Sequence, residues 1–167
     1  MAERVASIRT ADKTDEAALT TVLHEAFAAL APGLGYRPGP MDRDYSALLE
    51  QGFVVKLTDS QDLPIGFAVM LPRATHLYIE AIALLPEFQG QGYGALLLSH
   101  VERLASELCL PRLRLHTDPS LSRPMRFYSG AGYKELGRQG FGSGRRALFE
   151  KRVPTALELL VGRLIED

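Results

Sequence analysis

The sequence has a single cysteine, Cys109, which excludes an internal disulfide and a cysteine-based metal site. It has no excess of either charge. Lys plus Arg number 19, Asp plus Glu number 20, and the net charge is -1. A balance this even removes the electrostatic basis for bulk nucleic-acid binding. No apolar run is long enough to span a bilayer, and the start, MAERVASIRTADKTDE, lacks the apolar stretch of a secretory signal. A soluble cytoplasmic protein without nucleic-acid or membrane partners is therefore expected. There is no internal repeat, low-complexity tract or linker, and no G-K-[ST] phosphate-loop signature. No spacing of His, Asp and Glu suggests a metal site, so no metal is expected. Cys109, in SELCLP at a helix end, reads as a buried, inert thiol. What is present is ordinary: 167 residues, 46% hydrophobic and 23% charged, enough for one compact domain with its own core.

Periodicity divides the chain into alternating elements. Residues 5–11 have strand character. Residues 14–30 read as an amphipathic helix, with Thr14 as cap and Ala18, Val22, Ala26 and Leu30 at helical spacing. Residues 31–41, rich in Gly and Pro, read as a loop. Residues 42–52 read as a short helix capped by Asp42 and stopped by Gly52. Three strands follow at 53–58, 64–71 and 77–84. Their short links predict antiparallel pairing, since parallel neighbours need a long crossover. Residues 94–110 predict a helix stopped by Pro111, and 112–117 a strand. Together 77–84, 94–110 and 112–117 make one βαβ-like unit. A short helix at 123–132, a hairpin joined through GFGSGRR, and an amphipathic helix at 155–167 complete the chain.

The informative stretch is ALLPEFQGQGYGALLL, residues 83–98. By letters, Gly90 to Ala95 satisfies the dinucleotide fingerprint G-x-G-x-x-G/A. The surroundings do not. That fingerprint closes the first strand of a βαβαβ series, with an acid about 20 residues on. Here antiparallel strands come first and only one βαβ unit exists. Leu110 stands 20 residues after Gly90, and Asp118 is the first acid at the end of the next strand. The alternative pattern is Q-x-x-G-x-G, Gln89 to Gly94. Its three singly spaced glycines at a helix start, with Gln89 and Gln91 between them, point to a phosphate cradle rather than an idle turn.

IEAIALLPEFQGQGYGALLL resembles the central motif of the GNAT superfamily, the acyl-CoA-dependent N-acyltransferases. RFYSGAGYKELGR resembles the later Y-x-x-x-G-[FY] motif of the same family, and the order of elements is similar over roughly residues 5–153. The resemblance implies an α/β (α+β) fold with a mixed, mostly antiparallel central sheet flanked by helices. Residues 1–153 would form one acetyltransferase domain, with 154–167 an appended helix that makes a homodimer an option.

The resemblance also implies roles. Acetyl-CoA would be the acyl donor. Its pantetheine would pair with the backbone of Ile82, Ala83 and Leu84, and the Leu84 N–H would polarise the thioester carbonyl. Its pyrophosphate would lie on Gln89, Gly90, Gln91, Gly92, Tyr93, Gly94 and Ala95, mostly through backbone N–H groups. Glu80 would be the base or amine-binding carboxylate; the competing reading pairs it with a basic side chain across the sheet. Tyr128 would protonate the departing sulfur. Tyr36, Tyr45 and Tyr78 would line the acceptor pocket, with Arg37, Met41, Asp42 and Asp44 in the same wall. Where the family often carries Asn, this sequence has Leu121 and Pro124, with Ser120 or Ser122 as substitutes. His76 and His116 flank strand ends and are placed to relay protons. The expected function is acetyl or short-acyl transfer to a primary amine, favouring a small-molecule acceptor. The alternatives are a non-catalytic acyl-CoA-binding module and an acetylase of protein N-termini or lysines.

Overall fold

The computed structural model describes residues 6–142 and 144–166. The sequence readings that reach Val5, Ser143 and Asp167 lie, at those positions, outside the described residues. Seven strands form a sheet in the order β1-β2-β3-β4-β5-β7-β6. They are β1 Ser7–Thr10, β2 Val54–Thr58, β3 Pro64–Pro72, β4 Leu77–Leu84, β5 Arg112–Thr117, β6 Lys134–Phe141 and β7 Gly144–Arg152. Pairs β1–β2, β2–β3, β5–β7 and β6–β7 are antiparallel, and β4–β5 is parallel. The fold is therefore the mixed, mostly antiparallel sheet flanked by helices expected from the sequence. The parallel pair exists because helix α4, Tyr93–Glu107, supplies the crossover that parallel neighbours require.

The chain divides into two compact units. One takes the described residues up to Met70 together with Glu80–Leu97; the other takes Leu71–Ile79 and the described residues from Leu98 on.

In the first unit, Asp12 opens the helical segment, correcting the Thr14 cap. Its carboxylate accepts from the Thr14 N–H at 2.8 Å, and its own N–H donates to Asp15 at 3.0 Å. A short 3₁₀ turn, Lys13–Asp15, then leads into α1, Glu16–Ala28. Leu19, Val22, Leu23 and Ala26 recur every three to four residues on α1 and are all buried. They pack in one cluster with Val54, Phe67 and Val69. The expected loop at 31–41 contains a one-turn helix α2, Ala31–Leu34, and a 3₁₀ turn, Gly39–Asp42. Helix α3 covers Ser46–Glu50, shorter than expected, because Asp44 rather than Asp42 accepts from the Ser46 N–H, at 2.9 Å.

In the second unit, Leu98, Val101 and Ala105 of α4 are buried at helical spacing. Leu115 and Phe149 face each other across β5 and β7 and are buried, while Arg114 pairs with Glu150 one residue along, as the two-residue period of a strand demands. Cys109 follows α4 with φ +56° and is exposed, which corrects the buried thiol expected from its neighbours. Helix α5 covers Ser122–Gly130. Helix α6, Ala156–Glu166, begins at a reciprocal cap: the Glu158 N–H donates to Thr155 Oγ1 at 3.2 Å, and the Thr155 N–H donates to Glu158 at 2.8 Å. Leu157, Leu160 and Leu164 of α6 are exposed.

Candidate active site

In the first unit the site starts where β4 ends. Leu85 N–H donates to the Ile65 carbonyl at 2.9 Å, fixing the strand's exit. A 3₁₀ turn, Pro86–Phe88, then lifts the chain into the glycine loop. Gly90 and Gly92 have φ of +74° and +89°, conformations that side chains rarely adopt. No atom lies within 4 Å of where a Cβ on Gly92 would sit, so the loop faces open space there. The first helical bond of α4 runs from Leu96 N–H to the Gly92 carbonyl at 3.1 Å. The N–H groups of Tyr93, Gly94 and Ala95 therefore precede the helical ladder, at the positive end of a 15-residue helix.

Gln89 and Gln91 hold this loop from within. Gln89 Nε2 donates to the Leu84 carbonyl at 3.0 Å, and Gln91 Nε2 donates to the Glu87 carbonyl at 2.7 Å. Both side chains are thus turned back onto the backbone, and the Gln89 N–H itself donates to the Pro86 carbonyl at 3.2 Å. Phe88 and Tyr93 meet edge to face at 6.0 Å across the turn.

The segment Ile82–Leu84 has a support that the sequence did not reveal. A Cβ on Gly66 of β3 would sit 2.9 Å from the Ala83 carbonyl oxygen and 3.1 Å from a Leu84 methyl. Only glycine permits this approach of β3 to β4. Gly66→Val is therefore expected to lower stability by about 1–3 kcal/mol through overpacking and to displace the Ala83–Leu84 backbone. Urea denaturation measures the first effect; a weaker affinity for acyl-CoA measures the second.

Glu80 is nearly buried, its side chain 10% exposed, and its Oε1 lies 2.9 Å from Arg43 Nε. The ion pair comes from the loop before α3, not from across the sheet. Arg43 is 55% exposed, so one face of the carboxylate is held by a cation that reaches in from solvent. Tyr45 stands beside this pair. Its hydroxyl is buried and has no hydrogen-bond partner among the described residues. Burial, and then the negative charge of Glu80, push the Tyr45 phenol well above its ordinary value, against the opposing pull of Arg43. Arg43, Tyr45, Met41 and Asp44 line a pocket on this unit. Tyr36 is half-buried and does not line it. Arg37 Nε is 2.6 Å from Asp42, an exposed pair outside the pocket.

In the second unit, the Tyr78 hydroxyl lies 2.9 Å from His116 Nδ1, with the rings 5.7 Å apart. Burial, then the charge of Arg146, hold the His116 pKa below its ordinary value. The parallel register of β4 with β5 covers Leu77–Ile79, and β4 runs on to Leu84. Tyr128, on α5, is surrounded by rings: Phe127 at 5.0 Å and Tyr133 and Phe149 each at 6.0 Å. Burial pushes its phenol above the ordinary tyrosine value. Behind it, Lys151 Nζ donates to Glu102 at 3.0 Å and to the Ala131 carbonyl at 2.9 Å, while the Tyr133 hydroxyl donates to Glu102 at 3.2 Å. The Tyr133 N–H closes the turn onto the Tyr128 carbonyl at 3.1 Å. This network fixes the C-terminal end of α5. The Ser120 hydroxyl donates to Asp118 at 2.6 Å, so it is engaged within its own turn.

A family model, the acetyltransferase (GNAT) family, matches residues 19–133. The chain belongs to this family. It is accordingly an acetyltransferase, with acetyl-CoA as its acyl co-substrate. Among curated proteins none matches. Solved structures do. The PaiA N-acetyltransferase of Thermoplasma acidophilum, in complex with coenzyme A, is 20% identical over 89% of this chain and 99% of its own, with a TM-score of 0.76. The ribosomal-protein-S18-alanine N-acetyltransferase of Escherichia coli is 19% identical over 91% of this chain and 96% of its own, with a TM-score of 0.69. Ard1 from Thermoplasma volcanium is 18% identical over 89% and 97%, with a TM-score of 0.72. The match covers the GNAT loop and Tyr128 alike. Among the described residues, no group of three His, Cys, Asp or Glu gathers to hold a metal, and no helix is long and apolar enough to cross a membrane.

Proposed function

We propose that this GNAT enzyme moves an acetyl group from acetyl-CoA directly to the primary amine of a small molecule. The observation that carries the reading is the loop Gln89–Ala95. Two left-handed glycines, open space at Gly92, and side chains turned inward leave a row of N–H groups at a helix N-terminus. That arrangement suits a pyrophosphate. The backbone of Ile82–Leu84 takes the pantetheine amides, and the Leu84 N–H polarises the thioester carbonyl. The ammonium gives one proton to Glu80, the neutral nitrogen attacks the carbonyl carbon, and the C–S bond breaks. Tyr128 gives its phenolic proton to the departing sulfur, and the second proton released from nitrogen restores the Tyr128 phenol. In this reading residues 1–153 work as one domain in the cytoplasm, with 154–167 appended.

Thermal melting tests the co-substrate. A ligand at about 100 times its Kd stabilises the native state by about 2.7 kcal/mol, which for a chain of this size raises the midpoint by roughly 5–10 °C. Acetyl-CoA is expected to do this and NADH is not. A rise with NADH alone would return the loop to the dinucleotide reading. Release of free thiol, followed with small amines and with peptides, then separates the acceptor classes; transfer to peptides only would make this a protein acetylase.

A further inference from the structure

The first unit holds a pocket that the glycine loop does not use. Its floor is apolar: Leu19 and Leu23 of α1, Leu49 of α3, Val54 of β2, and Phe67 and Val69 of β3. It holds ≈ 90 Å³ of room and opens to solvent. A single water needs about 10–15 Å³ of such room, so the pocket takes a small side group. Its lining also carries Glu16 and Asp44, with His24 and Arg43. The described residues of this unit include eleven acidic and five basic side chains, which favours a cationic ligand.

Two features link the pocket to Glu80. Arg43 both lines it and pairs with Glu80 at 2.9 Å, occupying the carboxylate as an ammonium ion would. Tyr45 also lines it, and its buried hydroxyl has no partner among the described residues. Leaving a buried hydroxyl unpaired is costly, and a ligand atom can relieve that cost. The floor is apolar, so the ligand's buried part is apolar.

We infer that the acceptor is a small primary amine with one apolar side group, which fills this pocket while the ammonium displaces Arg43 from Glu80. The Tyr45 hydroxyl oxygen, without a partner among the described residues, accepts from the same ammonium. This inference rests on the amine-transfer reading above and narrows it.

The test uses 2-phenylethylamine, ethylamine and spermidine as probes of the full chain. In methyl-labelled protein, 2-phenylethylamine should shift the methyl resonances of Leu19, Leu23, Leu49, Val54 and Val69. Its kcat/KM should exceed that of ethylamine and of spermidine by at least tenfold, as expected of a side group buried in an apolar pocket. Thr20 is an exposed residue on the pocket's edge. Thr20→Trp should fill the pocket, cutting kcat/KM for 2-phenylethylamine about tenfold and erasing its advantage over ethylamine. Arg43→Ala should lower the KM for 2-phenylethylamine severalfold, because the competing cation is gone. Absence of methyl shifts, preference for spermidine, or turnover of peptides alone overturns the inference. Failure of acetyl-CoA to raise the melting midpoint is a different result. It overturns the transferase reading, while the methyl shifts still decide whether the pocket binds the amine.

Discussion

Tyr128→Phe is expected to lower kcat roughly a hundredfold, the lower end of general-acid effects. The lower end applies because a thiol of pKa near 8.5 already leaves tolerably as thiolate. The change removes one oxygen and keeps the ring. Contacts with Phe127 at 5.0 Å and with Tyr133 and Phe149 at 6.0 Å are therefore retained, and the melting midpoint should scarcely move. Acetyl-CoA affinity, measured by titration calorimetry, should also hold. Burial raises the phenol above its usual pKa near 10, so it stays protonated at neutral pH and ready to donate. Tyr128 should accordingly produce no fall in rate below about pH 10. Unchanged turnover in the variant would remove Tyr128 from the reaction.

Glu80→Gln should reduce kcat/KM for the amine by roughly 10²–10⁴-fold at pH 7, the range for a lost general base. The sign of its pH dependence is distinctive. An alkylamine titrates near pH 10.4, so at neutral pH nearly all of it is protonated and needs somewhere to send its proton. As pH rises, the amine loses that proton to solvent unaided. The deficit of Glu80→Gln should therefore shrink steadily toward pH 10. A deficit equal at every pH would mean that Glu80 acts only by anchoring Arg43, 2.9 Å away. An unaltered rate would leave it structural.

Much of the framework was legible locally. Strands 77–84 and 112–117 were bounded correctly because alternation and flanking prolines report directly on backbone pairing. The glycine loop was legible because a left-handed turn into a helix favours glycine. Helix starts were less so. Asp12 displaced the expected cap Thr14, and α3 follows Tyr45, which makes no side-chain cap, where Asp42 was expected, since only the backbone's path selects among adjacent candidates. Cys109 was misjudged because apolar neighbours in sequence do not ensure cover in space.

The partners of the site residues were not legible at all. Arg43 and Glu80 are 37 residues apart, and Gly66 and Ala83 are 17 apart. Nothing in either local stretch specifies the other. Charge shows the same division. The whole chain is near neutral, yet the first unit's eleven acids face five bases among its described residues, and the second unit's thirteen bases face seven acids. By itself the sequence determined the order of elements and the glycine turn into α4, because periodicity and glycine turns act over a few residues. Only the tertiary structure decided which cation sits on Glu80, which glycine lets Ala83 lie close against β3, and which apolar side chains enclose a pocket beside Tyr45. Those contacts are set by packing between segments far apart in the chain.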